Sequence, residues 1–292
     1  MKIGLTGASG FLGSRLVDLA LGRGHEVIAF TRTPDRSIPG CTMRTFSLET
    51  PPDIAGCDAL IHLAAESPIG LWTAAKKRRI RESRALGTRR IVEAIAAASA
   101  KPEVLVNVSA IGFYGDRGEQ DLTESLPAGQ GFLAETVQAW EAEASQVQAS
   151  RVVLLRTALV LGRTGGALPI MALPFRFGLG AQLGDGRQWM SWIHLEDWAR
   201  LALFAVENLD LHGPVNAAAP WPVRNADYTR LLARQLHRPA FLRAPAFLLR
   251  AVLGDFSREL LESKRVLPGV ACEQGFGFQF PEIESTLKDL LE

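Results

Sequence analysis

Cysteine is scarce in this chain of 292 residues: Cys41, Cys57 and Cys272 stand apart, with no C-x-x-C spacing. That excludes a disulfide framework and a cysteine zinc site, and it fits a reducing compartment in which the three act as small hydrophobes. Long apolar runs are missing as well. No stretch reaches the roughly 18 uncharged apolar residues of a membrane span, and the first residues enter a strand pattern without the basic and apolar regions of a signal peptide. The expectation is a soluble, cytoplasmic protein with no membrane partner. Charge of one sign is also lacking, since 32 basic residues face 31 acidic ones for a net charge of +1. A near-neutral chain sets up no field for a polyanion, so nucleic acid is not expected as a partner. The 5 histidines are scattered, none at ligand spacing to cysteine or carboxylate, and no metal is predicted. Tyrosine is rare too, with only Tyr114 and Tyr228.

What is present is apolar sequence enough for a real core: 47% of residues are hydrophobic, sufficient for one large domain or two unequal ones. Short apolar runs alternate with longer helical patterns. "KIGLTG", "HEVIAF", "ALIHLAA", "EVLVNVSA" and "RVVLLRTALVLG" read as strands, and residues 11–23, 76–98 and 132–148 as helices. A further helix follows "SWIHLED", and "PVNAAA" reads as a short buried strand. This alternation predicts βαβ units, hence an α/β fold built on a Rossmann-type, doubly wound parallel sheet. Composition shifts at Gly165, where glycine and proline become dense, and again after Pro220, where helical patterns take over. The expected organisation is a first domain over 1–165, also taking in about 190–220, interleaved with a smaller, mostly helical second lobe over 166–292.

The stretch "LTGASGFLGSRL" places Gly7, Gly10 and Gly13 between the first strand and the first helix. Gly7 permits a sharp turn, Gly10 the approach of a pyrophosphate to amides at the helix N-terminus, and Gly13 close packing of helix on strand. A turn that binds nothing is the alternative. The position, within a serial βαβ chain, favours a dinucleotide cradle with Phe11 and Leu12 in its first turn. The second strand ends in "AFTRTPDR", where an NAD-binding fold would carry a carboxylate for the ribose 2′-OH. Here the tip holds Thr31 and Arg32, while Asp35 comes too late. A guanidinium and a hydroxyl suit a 2′-phosphate, so NADP is expected as cofactor. The plain alternative for Arg32 is one more solvated surface charge.

With "TGASGFLG", "HLAAES", "VSAIGFYG" and "MSWIHLEDWA" in this order, the chain resembles the extended short-chain dehydrogenase/reductases of the epimerase/dehydratase group. More narrowly it is similar to their atypical, epimerase-like members, through "SRALGTRR", "LRTALVLGRTGGAL" and a C-terminal extension running from "RAPAFLLRAVLGDF" to "GFGFQFPEIESTLKDLL". The resemblance implies a nicotinamide-binding sheet capped by a C-terminal lobe, with a small-molecule substrate between them and a homodimer possible. It puts the 2′-phosphate near Thr31 and Arg32, the backbone of Leu63 and Ala64 against ribose and diphosphate, Arg84 within reach of the cofactor and Val160 on the nicotinamide side. For Arg84, an i,i+4 surface partner among its arginine-rich neighbours stands as the alternative. His194 and Asp197 are expected to start a helix beneath the pocket rather than to react. The tryptophans at 189, 192, 198 and 221 favour packing over a ligand platform.

The resemblance also exposes an absence. Short-chain reductases pair a tyrosine with a lysine four residues on, the lysine lowering the phenol's pKa. Neither tyrosine here has such a lysine, and the helix expected to carry the pair, "GFLAETVQAWEAEA", contains neither residue type. The remaining candidates are Ser109, at the family's hydrogen-bonding serine position; Tyr114, its phenol unshifted for want of a neighbouring cation; and Glu135 as a substitute base, with a solvated helix carboxylate as its alternative. Two functions follow: an NADP(H)-dependent oxidoreductase or epimerase-like enzyme, slow on generic carbonyls, or an NADP(H)-binding sensor or scaffold without turnover. Finally, "GFGFQF" is expected to anchor the C-terminal segment as a half-buried strand through Phe276, Phe278 and Phe280.

Overall fold

The computed structural model describes every residue except Pro34 and Arg36. Seven strands form one sheet: β1 (Lys2–Thr6), β2 (Glu26–Thr31), β3 (Cys41–Thr45), β4 (Ala59–His62), β5 (Val104–Ala110), β6 (Arg151–Thr157) and β7 (Gly213–Ala217). Their order is β7-β6-β5-β4-β1-β2-β3, with every neighbouring pair parallel. Parallel strands need crossover connections, most of them helical in this sheet, and the helices bury both of its faces. The strands read as near-continuous apolar runs for that reason. Alternate side chains then serve opposite layers: Ile3, Val27, Ala29, Ile61 and Val106 pack in one core, Ile28, Phe30, Leu60 and Leu105 in another.

The first of these cores is closed by α1 (Phe11–Gly22), through Leu16, Val17 and Ala20. The other face is covered by α2 (Ala74–Ala97) and α3 (Phe132–Ala144), which pack on each other. The helix α4 (Leu168–Arg176) follows the glycine-rich loop, and α5 (Leu195–Glu207) returns to lie beside α1. A separate apolar core joins α4 to α6 (Asn225–Gln235) and α10 (Ile283–Leu291), centred on Phe175, Trp192, Tyr228 and Leu287. Between α6 and α10 run α7 (Ala246–Leu253), α8 (Ser257–Leu261) and α9 (Gly269–Glu273). The smaller, mostly helical C-terminal part expected from sequence is present.

Residues 269–280 leave that part before α10 returns to it. The helix α9 packs on β7 at the sheet edge, and Phe276 joins the core of the sheet beside Phe204. The segment carrying Phe276, Phe278 and Phe280 is irregular, which corrects the expectation of a half-buried strand. Its amides go elsewhere: Gln279 and Phe280 donate to the two carboxylate oxygens of buried Asp197 at 2.9 and 2.8 Å, so no strand ladder claims them. Phe280 stacks on His194 at 3.9 Å, while His194 Nδ1 caps α5 by accepting from the Glu196 amide at 3.0 Å. Both His194 and Asp197 thus hold the chain end to the fold. Trp192 and Trp198 are buried in packing, whereas Trp189 has the guanidinium groups of Arg224 and Arg265 at 4.1 and 4.7 Å from its ring centroid.

Candidate active site

The turn after β1 is built by close backbone approach. Gly7 adopts φ +74, a left-handed conformation that disfavours any side chain, and a Cβ on Gly13 would stand 2.1 Å from the Gly7 carbonyl oxygen. The Gly10 amide donates to that same carbonyl at 3.0 Å. Within α1 the first amide to find a carbonyl is that of Ser14, which donates to Gly10 at 2.8 Å, and no side chain among the described residues caps the helix. The amides of Phe11, Leu12 and Gly13 therefore present uncapped donors at the positive end of a helix, the arrangement that binds a phosphate. The Phe11 side chain turns away, packing so tightly on the loop after Val160 that a Cβ on Gly162 or Gly165 would lie 2.5 or 2.4 Å from its ring.

Behind the turn, Thr6 organises the end of β4. Its Oγ1 accepts the amides of Leu63 and Ala64 at 3.0 and 3.1 Å and lies 2.8 Å from His62 Nδ1. With both lone pairs occupied, the hydroxyl proton goes to Nδ1, which assigns the imidazole proton to Nε2. Burial pushes the His62 pKa down to about 4, so the ring is neutral. Leu63 and Ala64 thus give their amides to Thr6, and their backbone lies against the turn, where a Cβ on Gly7 would stand 3.2 Å from the Ala64 nitrogen and the Leu63 Cβ. At the end of β2, Arg32 is exposed with no hydrogen-bond or ion-pair partner among the described residues, and Thr31 Oγ1 accepts the Thr33 amide at 3.2 Å. Pro34, which precedes Asp35 in the sequence, lies outside the described residues.

Arg84 is not a surface pairing partner. It is buried, donates to the Glu66 and Ile80 carbonyls at 2.9 and 3.1 Å, and lies 5.0 Å over the Trp140 ring. Burial lowers its pKa to about 10, which leaves it charged at neutral pH. Its place is beneath the loop after β4. The surface arginines and lysines of α2 are mostly paired, among them Lys76 with Glu66, Lys77 with Asp255 and Arg89 with Glu143.

The end of β5 is a closed polar corner. Ser109 is buried and donates to Glu141 Oε1 at 2.6 Å. Arg156 holds the same carboxylate with two bonds of 2.9 Å and donates to the Tyr114 hydroxyl at 3.0 Å. Tyr114, fully buried, donates in turn to Asn216 Oδ1 at 2.7 Å. Asn216 Nδ2 donates to the Leu122 and Leu267 carbonyls, which ties the corner to the C-terminal segment. Two expectations need correction here. Tyr114 does have a cationic neighbour, and its pKa is nevertheless raised, because burial outweighs the attraction of Arg156. Glu135 stands in solvent at the start of α3 with its side chain 63% exposed, 3.7 Å from Arg81, which is the solvated alternative rather than a base facing a cleft. The structure brings Ser109 and Tyr114 into one network, through Arg156 and Glu141, and leaves Glu135 outside it. Sequence reasoning missed Glu141, Arg156, Asn216 and Thr6. A usable signal existed for Arg156: a charge within the apolar run "VVLLRTALVL" has to find a buried partner.

A seven-stranded parallel sheet with a glycine turn at its first crossover defines a Rossmann-type, dinucleotide-binding class of protein. Residues 3–218 match the NAD dependent epimerase/dehydratase family, and residues 244–290 match a domain of unknown function, DUF1731. The chain belongs to the NAD dependent epimerase/dehydratase family. It is 36% identical over 298 residues to the epimerase family protein YfhF of Bacillus subtilis, covering 100% of this chain and 98% of that one. It is 34% identical to mouse SDR39U1 over the full length of both. The crystal structure of human epimerase family protein SDR39U1 with NADPH superposes with a TM-score of 0.92 at 32% identity, covering 100% of this chain and 99% of that one. The UDP-N-acetylglucosamine 4-epimerase of Bacillus cereus, 18% identical with a TM-score of 0.77, shares the fold.

Proposed function

We propose that the chain binds NADP(H) and is an oxidoreductase or epimerase-like enzyme for a small carbonyl or sugar-type substrate. The observation that carries this is the row of uncapped amides at Phe11, Leu12 and Gly13, opposite a strand tip that offers Thr31 and Arg32 in place of a carboxylate. The NADPH in the human relative supports the same choice. In this reading the α1 amides take the diphosphate, Thr31 and Arg32 take the 2′-phosphate, and Leu63, Ala64 and Val160 line the path between them. Arg84 serves as a positioning residue, through its bond to the Glu66 carbonyl. A nicotinamide held there would supply hydride chemistry, as donor or acceptor.

Ser109 and Tyr114 have a different role from that of proton donors. The Ser109 proton is held by Glu141 and the Tyr114 proton by Asn216, so neither hydroxyl is free to polarise a carbonyl. They position the end of β5 and the loop that follows. Turnover of generic aldehydes and ketones is accordingly slow. The same closed corner favours a second reading, an NADP(H)-binding sensor or scaffold. One experiment serves both: titrate the chain with NADPH and NADH, then follow NADPH absorbance across a panel of carbonyls and sugar nucleotides. Binding of NADPH with oxidation of any substrate supports the enzyme, binding without oxidation supports the sensor, and equal affinity for the two nucleotides overturns the NADP assignment.

A further inference from the structure

The stretch 228–254 contains five arginines and no aspartate or glutamate, in a chain whose 32 basic and 31 acidic residues nearly cancel as a whole. Arg230 and Arg234 are paired with Asp227 and Glu284, while Arg238, Arg243 and Arg250 have no ion-pair partner among the described residues. A hollow of about 550 Å³ is lined by Arg230, Arg234, Arg238 and Arg243, with Phe241 and Leu242 at its side. Beyond it, α7 reads "AFLLRAVL" and buries none of its residues. The helix rests on a half-buried side, Ala246, Leu249 and Leu253, and turns its other apolar side chains outward, with Phe247 73% and Val252 62% exposed and Phe241 before the helix 77% exposed. Apolar surface of this kind, contiguous in sequence and bordered by cations of one sign, marks a binding surface.

We propose that residues 238–253 seat this protein on the surface of a bilayer containing anionic phospholipid, with headgroup phosphates in the arginine hollow and Phe241, Phe247, Leu248 and Val252 at the acyl boundary. An anionic bilayer offers both layers the segment asks for, phosphate for the arginines and hydrocarbon for the apolar side chains. A second copy of this chain fits less well, because a two-fold contact sets each patch against itself and so brings arginine rim to arginine rim. No helix among the described residues is long and apolar enough to cross a membrane, so the association is lateral. The proposal revises the expectation of no membrane partner, which considered spanning segments alone.

The test is co-sedimentation of the full chain with vesicles of phosphatidylcholine alone and of phosphatidylcholine mixed with phosphatidylglycerol. Retention is expected only with the mixed vesicles, and it falls as salt is raised. Arg238→Gln, Arg243→Gln and Arg250→Gln should each weaken it about fivefold, as expected for one cation near a charged leaflet. Phe247→Ser and Phe241→Ser should weaken it at least as much, and both positions are exposed enough that melting temperature and NADPH binding serve as unchanged controls. Equal retention by both vesicle types, retention indifferent to the phenylalanines, or no retention overturns the proposal. A dimer that Phe247→Ser dissociates, without any vesicle retention, overturns it in favour of a second copy.

Discussion

The C-terminal ends of β1 and β5 lie two strands apart in one sheet and are finished in opposite ways. After β1 the backbone turns through three glycines and leaves amide donors at a helix start with no side chain to satisfy them. After β5 every hydroxyl meets a partner: Ser109 on Glu141, Tyr114 on Asn216, with Arg156 between them. The first arrangement suits an anion that arrives from outside. The second suits permanence, because a buried ion pair with its remaining bonds filled resists both water and rearrangement. One sheet thus ends in a turn open to a ligand after β1 and in a polar corner closed on itself after β5.

The most severe way to break this contrast is to open the closed corner. Arg156→Met leaves the Glu141 carboxylate buried without its cation and should cost about 3–5 kcal/mol, read as a fall in the urea midpoint. The double variant Glu141→Leu/Arg156→Met should recover most of that loss, since neither charge is then stranded. A cost below about 1 kcal/mol for the single change would mean that water reaches the pair, and the corner would not be closed.

A second test probes the support behind the open end. His62 is held neutral with its pKa at about 4, against an ordinary 6.5, because the buried ring resists charging. The unfolded chain therefore takes up the proton first as pH falls. Stability from this residue is complete above about pH 6.5 and declines as pH drops toward 4, by about 3 kcal/mol in all. Melting temperature followed from pH 7 to pH 4 should fall less steeply in His62→Gln. An identical slope in both proteins would remove His62 from the account.

How much of this was legible beforehand divides along the same line. The open end announces itself locally: strand, glycine spacing and helix are consecutive in the sequence, and each glycine has a steric reason visible from its neighbours. The closed corner is assembled from β5, α3, β6 and β7, so that Ser109 meets Glu141, Arg156 and Asn216 only after the sheet forms. Only Arg156 leaves a trace in its own strand. The C-terminal phenylalanines show a third case, where alternation suggested a strand but a distant acceptor, Asp197, took the amides and fixed an irregular path. Period-two patterning reports which side chains are buried, and it is silent on where backbone donors go.

The open end can be sharpened through its choice of nucleotide. Arg32→Ala should erase most of an NADPH preference of at least tenfold, since one charge-assisted bond to phosphate contributes about 1.5–3 kcal/mol. Titration of wild type and variant with both nucleotides decides it. NADH affinity should stay the same, because the ribose 2′-OH gives a guanidinium no comparable charge to hold. A parallel loss for NADH would make Arg32 a general contact, and the 2′-phosphate assignment would fail.

The smallest effect is expected where the contrast predicts none. Glu135 stands on the solvent side of α3, and its pairing with Arg81 at 3.7 Å is of the exposed kind that contributes at most about 1 kcal/mol. Glu135→Gln should therefore leave the melting temperature and the rate of NADPH oxidation within about twofold of wild type, on whichever carbonyl or sugar nucleotide proves to be a substrate. Ser109→Ala is the informative companion. It removes one of the bonds on a buried carboxylate, so it should lower stability by about 1–2 kcal/mol. Any loss of rate should then track the loosened end of β5 and carry no change in the pH profile, because the Ser109 hydroxyl is committed to donating to Glu141. If Glu135→Gln instead abolished turnover or shifted its pH dependence while Ser109→Ala did neither, proton transfer would run through the solvent face of α3, and the closed corner would be irrelevant to the chemistry.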